Sequence, residues 1–283
     1  MERIYIIGIG LIGGSFARDA RKALPEAQFF GIDANPDHVA KAIELGIVDA
    51  AATLDELKEA DLVVLSVPVD TALNVLPEVL DHIGDHTLVI DMGSTKAGIC
   101  KVVDEHPKRR HFMACHPIAG TEFSGPTAAI EGLFKGKTNI ICEVEKTAFK
   151  LQEKGLALFN NIGMRIRYMN AVAHDKHIAY VSHLSHISSF MLGKTVIEKE
   201  ENERDIFDMA GSGFASTVRL AKSNPETWTA IFKDNEENVL ETLDEYIANL
   251  EAFKHLLETK NYQGVHDAMQ STNHIKQILK GIE

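Results

Sequence analysis

The chain has 283 residues, a length that favours two domains over one or three. Its hydrophobic fraction of 45% and charged fraction of 25% are those of an ordinary globular protein, and its net charge of −12 argues against nucleic acid or anionic membrane as a partner. That charge also sets a requirement: an anionic substrate needs positive charge concentrated locally. Cys100, Cys115 and Cys142 are too few and too scattered for a disulfide framework or a zinc site, which points to a reducing cytoplasm. No apolar run is long enough to span a membrane. The sequence passes from Met1-Glu2-Arg3 straight into a strand, so no signal peptide is expected.

Ile4-Tyr5-Ile6-Ile7 is a continuous apolar run of the kind that forms a buried parallel strand. It leads into Gly8-Ile9-Gly10-Leu11-Ile12-Gly13-Gly14-Ser15 and a helical pattern to about Leu24. Glycines there permit a tight turn and let the backbone touch a pyrophosphate, while the following helix offers free N–H groups. Gly8, Gly10, Leu11, Ile12 and Gly13 are therefore candidate dinucleotide contacts. A second strand, Phe29-Phe30-Gly31-Ile32, ends in Asp33, 20 residues after Gly13. An acid at that place accepts hydrogen bonds from the adenosine ribose and repels a 2′-phosphate, so NAD is expected rather than NADP.

The alternation continues. Helices are expected over Pro36 to Leu45, Asp55 to Ala60 and Asp70 to Leu80, and strands over Leu62 to Val67 and Leu88 to Asp91. Repeated βα units with apolar strands give a doubly wound parallel sheet of Rossmann type. Ligands of such sheets sit at the carboxyl ends of strands. This rule selects the glycine loop, Ser66-Val67-Pro68 and Asp91-Met92-Gly93-Ser94-Thr95-Lys96, making Ser66 and Pro68 further cofactor candidates. Ser94 reads either as an N-cap for a helix starting near Lys96 or as a hydroxyl facing the reactive end of the cleft.

Phe112-Met113-Ala114-Cys115 is a further strand with His116 at its end. Imidazole suits proton transfer near neutral pH, and a dehydrogenase acting on an alcohol must take up the hydroxyl proton. Thr121 and Glu122 behind it read as pocket, gate or polar loop. An edge strand over Gly136 to Glu143, a helix over Thr147 to Asn161 and a short strand, Arg165 to Met169, complete a first domain of residues 1–169.

From Asn170 the strand pattern disappears, and residues 170–283 are expected to form an all-helical second domain. One long helix over Ala171 to about Ile197 would place Asp175, Ser182, His183 and His186 on roughly one face. The two histidines lack a third ligand at metal spacing, and no metal is expected. Gly211-Ser212-Gly213-Phe214 runs into a helix carrying Arg219, whose guanidinium can hold a carboxylate through two parallel hydrogen bonds. Trp228 follows a helix start at Asn224-Pro225. An amphipathic helix then runs from Glu226 to Leu257, and a last helix over Tyr262 to Leu279. So much apolar helical surface points to a homodimer.

Five stretches, in order, resemble the prephenate and arogenate dehydrogenases of tyrosine biosynthesis. They are Gly8 to Ser15, Asp91 to Lys96, His116-Pro117-Ile118-Ala119-Gly120-Thr121-Glu122, Ser182-His183-Leu184-Ser185-His186 and Gly213 to Ala221. The resemblance covers nearly the whole chain. It implies oxidative decarboxylation of prephenate with NAD, His116 hydrogen-bonding the ring hydroxyl and assisting its deprotonation, and Ser94 supporting that hydroxyl. It also implies a pocket lined by His186 and Arg219, with Arg219 on a carboxylate and Thr121 and Glu122 at the edge. Asp175 would orient the helical face, and Trp228 would reach a neighbouring subunit's site. Two departures are Ser185, where the family often has Pro, and Ala215, where some members have a basic residue. A minimal, monofunctional form is expected, without a chorismate mutase segment. Arogenate dehydrogenase, a β-hydroxyacid or imine reductase of the same two-domain plan and a non-catalytic NAD-sensing protein are the alternatives.

Overall fold

The computed structural model describes residues 2–201, 203 and 205–280. Two compact units are present, the first reaching Glu236 and the second beginning at Glu237.

In the first unit, β1 (Arg3–Ile7), β2 (Gln28–Ile32), β3 (Ala50–Ala51), β4 (Leu62–Leu65), β5 (Leu88–Asp91), β6 (Phe112–Pro117), β7 (Thr138–Cys142) and β8 (Arg165–Met169) form one sheet of order β3-β2-β1-β4-β5-β6-β7-β8. The helices between them are α1 (Leu11–Ala23), α2 (Pro36–Glu44), α3 (Val69–His82), α4 (Ala97–Val102) and α5 (Phe149–Ile162). Strands β1 to β6 pair in parallel, as the apolar runs predict. The Gly136 to Glu143 strand is not at the edge. β7 lies antiparallel to β6, with His116 opposite Ile140, and parallel to β8, which forms the border.

Side chains alternate across the sheet. Ile4, Ile6, Val64, Ile90 and Met113 pack with Phe16, Phe134 and Phe159 on one side. Tyr5, Val63, Val89 and Phe112 pack with Leu76, Leu80 and Ala171 on the other. Fully burying one such side chain contributes about 1.5–3 kcal/mol, so these two layers fix where the strand ends lie.

After β8 the chain is helical: α6 (Ala171–Ile178), α7 (Leu184–Glu200), α8 (Ser212–Thr217) and α9 (Pro225–Asp234). The Asn170 carboxamide starts α6 by accepting from Val172 N and Ala173 N. Asn224, followed by Pro225, starts α9 by accepting from Thr227 N at 3.0 Å. The long helix expected over Ala171 to Ile197 is interrupted by one π-helical turn, Ala179–His183. Arg219 sits on a 3-10 turn, Arg219–Lys222, rather than on an α-helix. The helix expected from Glu226 to Leu257 breaks at Asn235, because its side chain is drawn into a buried hydrogen-bond network.

α10 (Glu236–Glu258) opens the second unit from Glu237 on and is followed there by α11 (Tyr262–Thr272) and α12 (Ile275–Leu279), two helices where one was expected. Along α10, Leu240, Ile247, Leu250, Phe253 and Leu257 recur at helical spacing and are exposed. Among the described residues, no helix is long and apolar enough to cross a membrane.

Candidate functional site

The glycine loop is held from below. Ser66 Oγ donates to the Gly8 carbonyl at 2.7 Å and to the Ile7 carbonyl at 3.2 Å. Gly8 has φ +87, and a Cβ on Gly13 would stand 2.2 Å from the Gly8 oxygen and 2.3 Å from Ser66 Oγ. Any side chain there would force the loop open. Around Gly10, by contrast, no heavy atom of the described residues beyond its chain neighbours lies within 4 Å of a would-be Cβ. The open space therefore sits beside the amino end of α1, where a phosphate meets free N–H groups. Asp33 accepts from Ile9 N at 2.8 Å and from Asn35 N at 2.9 Å, tying the end of β2 to the same loop. Leu11 is buried, Ile12 partly so, and Pro68 is exposed before α3.

At the end of β5, Asp91 and Lys96 form an ion pair with side chains 1% and 0% exposed. Asp91 also accepts from Cys115 N at 2.9 Å and Gly93 N at 3.1 Å, so it spans the carboxyl ends of β5 and β6. Burial alone would lower the Lys96 pKa, but the adjoining Asp91 carboxylate outweighs it and raises that pKa. Ser94 lies in this loop, partly exposed. It is not the N-cap of α4. That place is taken by the side chain of Asp175, which accepts from Lys96 N and Ala97 N, each at 2.7 Å.

His116 stands at the end of β6, 9% exposed. Its Nδ1 lies 2.8 Å from His174 Nε2, and His174 Nδ1 lies 2.7 Å from Asp175 Oδ1. These partners fix the tautomers. A carboxylate capping two backbone N–H groups can only accept, so His174 donates from Nδ1 and presents a lone pair at Nε2. His116 must then donate from Nδ1, which leaves its own Nε2 as the basic nitrogen. Burial, followed by His174, Lys96 and His183, holds the His116 pKa well below the usual imidazole value. His116 is thus neutral at neutral pH and able to accept a proton.

A second group of rings adjoins the first. Asn235 Nδ2 donates to the Asp175 carbonyl at 2.8 Å and faces His183 Nδ1 at 3.2 Å. His183 is fully buried, its Nε2 has no hydrogen-bond partner among the described residues, and burial pulls its pKa down to about 4. Trp228 stacks on His186 with centroids 3.4 Å apart, while His183 meets it edge-on at 5.9 Å. His186 donates from Nδ1 to the Ser182 carbonyl at 3.0 Å, and burial, with Arg219 nearby, lowers its pKa. Arg219 lies 3.7 Å from Glu122, with side chains 55% and 20% exposed. Arg219 is therefore a half-open cation, held by one loose contact and able to exchange it for a ligand carboxylate. Thr121 is exposed, and its Oγ1 accepts from Phe123 N.

The first unit thus holds an open glycine loop, a buried neutral imidazole and a half-exposed guanidinium. The model of the prephenate dehydrogenase nucleotide-binding domain matches residues 16–168, and that of the prephenate dehydrogenase dimerization domain matches residues 170–271. The chain belongs to the prephenate dehydrogenase family. Prephenate dehydrogenase of Bacillus subtilis is 31% identical over 93% of this chain and 72% of its own length. Cyclohexadienyl dehydrogenase of Zymomonas mobilis is 30% identical over 89% of this chain and 87% of its own. Among solved structures, Aquifex aeolicus prephenate dehydrogenase in complex with hydroxyphenyl propionate and NAD+ superposes with a TM-score of 0.89. It is 30% identical and covers 98% of both chains. Synechocystis arogenate dehydrogenase gives 0.77 at 27% identity, over 97% of this chain and 99% of its own. As a family member the chain is an oxidoreductase.

The fold brings His116, Asp175, His186, Arg219, Glu122 and Trp228 into one connected network in the first unit. Trp228 packs on His186 of its own chain. Sequence reasoning passed over His174, Lys96, Asp91 and Asn235. The adjacent His174-Asp175 pair at a helix start was the available signal, together with the acid and the lysine that bracket Ser94.

Proposed function

We propose that the chain catalyses NAD-dependent oxidative decarboxylation of prephenate to 4-hydroxyphenylpyruvate. The observation that carries this reading is the neutral His116, its tautomer set by His174 and Asp175, at a strand end of a sheet whose glycine loop fits a dinucleotide. Gly8, Gly10, Leu11, Ile12 and Gly13 would hold the pyrophosphate, and Asp33 the adenosine ribose. No arginine follows Asp33 to neutralise a 2′-phosphate, which supports NAD. Bound NAD supplies the acceptor for the hydride.

His116 Nε2 accepts the proton of the ring hydroxyl as that carbon becomes a carbonyl. Ser94 lends its hydroxyl to the same oxygen. Arg219 leaves Glu122 to pair with a substrate carboxylate, meeting the need for local positive charge in an acidic chain. His186, steadied by Trp228, lines the same wall with Thr121. The carbon–carbon bond to the ring carboxylate then breaks, its electron pair enters the ring, and aromatisation drives the reaction. Orientation, one base and anion-binding groups suffice.

The reading includes a cofactor domain of residues 1–169, a helical domain of residues 170–283 and a homodimer. The name of the family's second domain and the exposed apolar row on α10 support the dimer. Initial rates on prephenate and on arogenate, each with NAD and with NADP, test the proposal. Faster turnover of prephenate with NAD is expected. Preference for arogenate would make the chain an arogenate dehydrogenase, as in the Synechocystis neighbour. Tight NAD binding with no turnover of either would make it a non-catalytic NAD-binding protein.

A further inference from the structure

Nothing in the proposed chemistry so far requires His174 to do more than hold a ring. The geometry asks more of it. His116 and His174 are linked nitrogen to nitrogen at 2.8 Å, and His174 is linked to Asp175 at 2.7 Å. His174 is 1% and Asp175 2% exposed, so no bulk water competes for these bonds. The hydrogen bonds all point one way. His116 donates to His174, and His174 donates to Asp175.

We propose that the proton accepted by His116 is passed on, so that the positive charge of the reaction comes to rest on His174, against Asp175. This rests on the reading of His116 as the base. The step balances. The substrate O–H bond breaks and an N–H bond forms at His116 Nε2. In the same motion the His116 Nδ1–H bond breaks and an N–H bond forms at His174 Nε2. His116 ends neutral, in its other tautomer. His174 ends as an imidazolium still donating to Asp175, and the hydride leaves to the cofactor. When product departs, the reverse motion returns the proton through His116 Nε2.

The surrounding charges favour this division. The groups facing His116 are His174 from α6, Lys96 from the loop before α4 and His183 from the π-helical turn, and all three oppose a positive charge on it. His174 faces His116 and His183, but it also touches a carboxylate. Asp175 is itself anchored by Lys96 N and Ala97 N at the start of α4, so it cannot swing away as the charge arrives. His174 is a relay and positioning residue, because it touches His116 rather than the substrate.

The test uses the full chain with NAD and whichever of prephenate or arogenate the wild type turns over. His174→Gln places an amide oxygen where Nε2 stood. The amide can still accept from His116 and hold its tautomer, but it cannot carry a proton. The relay predicts a fall in kcat on the order of 100-fold. It also predicts that the acid limb of kcat/KM moves to lower pH by about one unit or more. In the wild type that limb reports the coupled pair, and in the variant it reports His116 alone. Unchanged NAD affinity would show the variant to be folded. A kcat within about threefold of wild type, or a lowered kcat with an unmoved limb, would leave His174 a mere support and overturn the relay. A second measurement needs no variant. In single turnovers of the wild type in mixed light and heavy water, two protons in motion give a curved dependence on deuterium fraction, and a linear one overturns the relay. Wild-type inactivity on both substrates would instead sink the functional reading, and the relay with it.

Discussion

The Asp175 carboxylate accepts a 2.7 Å hydrogen bond from the backbone N–H of Ala97, so a side chain of α6 caps α4. A second bond, to Lys96 N, uses its other oxygen. One acid therefore joins α6 to the loop after β5, and through the His174 ring it reaches the end of β6. Asp175→Ala would leave two sequestered N–H groups and the His174 Nδ1–H without an acceptor. We expect a loss of about 2–4 kcal/mol in folding stability, read from urea denaturation midpoints. Asp175→Asn keeps one acceptor oxygen and should lose less. A loss below about 0.5 kcal/mol for the alanine variant would mean that water replaces the cap.

Much of this is legible in the sequence. Runs such as Ile4 to Ile7 and Leu62 to Leu65 can only be buried parallel strands, and the glycine loop and Asp33 follow from their placement after them. His116 stands out as a candidate base because it ends such a strand. What could not be read is long-range or subtle. His174 is 58 positions from His116, and its place beside Asp175 hints at a role without naming that partner. A helix template of 3.6 residues per turn cannot anticipate the π-helical turn at Ala179–His183, which shifts everything after Ile178 relative to Asp175. Asn235 breaks a helix without glycine or proline, through a side-chain bond to a carbonyl 60 residues away. The direction of β7 left no trace either, since the stretch between Pro117 and Thr138 is long enough for either orientation.

His116→Asn removes the basic nitrogen while preserving a polar side chain at the strand end. With the hydroxyl proton left without an acceptor, kcat should fall on the order of 100- to 10,000-fold. The affinity for NAD, measured by calorimetry, should not change, because the proposed cradle is Gly8 to Gly13 with Asp33. A near-normal kcat would remove His116 from the chemistry.

Arg219→Ala deletes the half-exposed guanidinium and leaves Glu122 without its cation. A hydrogen bond between charged groups contributes about 1.5–3 kcal/mol, so KM for the carboxylate substrate should rise about 10- to 100-fold. KM for NAD should stay within about threefold. Parallel increases in both would indicate general disorder of the 3-10 turn rather than loss of a carboxylate contact. Arg219→Lys keeps the charge but not the paired geometry and should fall between the two.

His183 sets a pH dependence of stability. In the fold, burial holds its pKa down to about 4, whereas in the unfolded chain it titrates near 6.5. Between these values the unfolded chain binds the extra proton, so stability must fall as the pH falls. The contribution is fully present above about pH 6.5 and is lost on the way to about pH 4, the loss amounting to about 3 kcal/mol. The depressed pKa of His116 acts in the same direction. Asp175 is the carboxylate that acts on His183, and it works against this shift, but burial and the neighbouring His174 and His186 outweigh it. Urea denaturation midpoints of the wild type should therefore drop steeply from about pH 6.5 to pH 4.5. His183→Asn should show a shallower slope over that range, whatever its stability at neutral pH. An equal slope in both proteins would mean that His183 gains its proton without unfolding the cluster around Trp228.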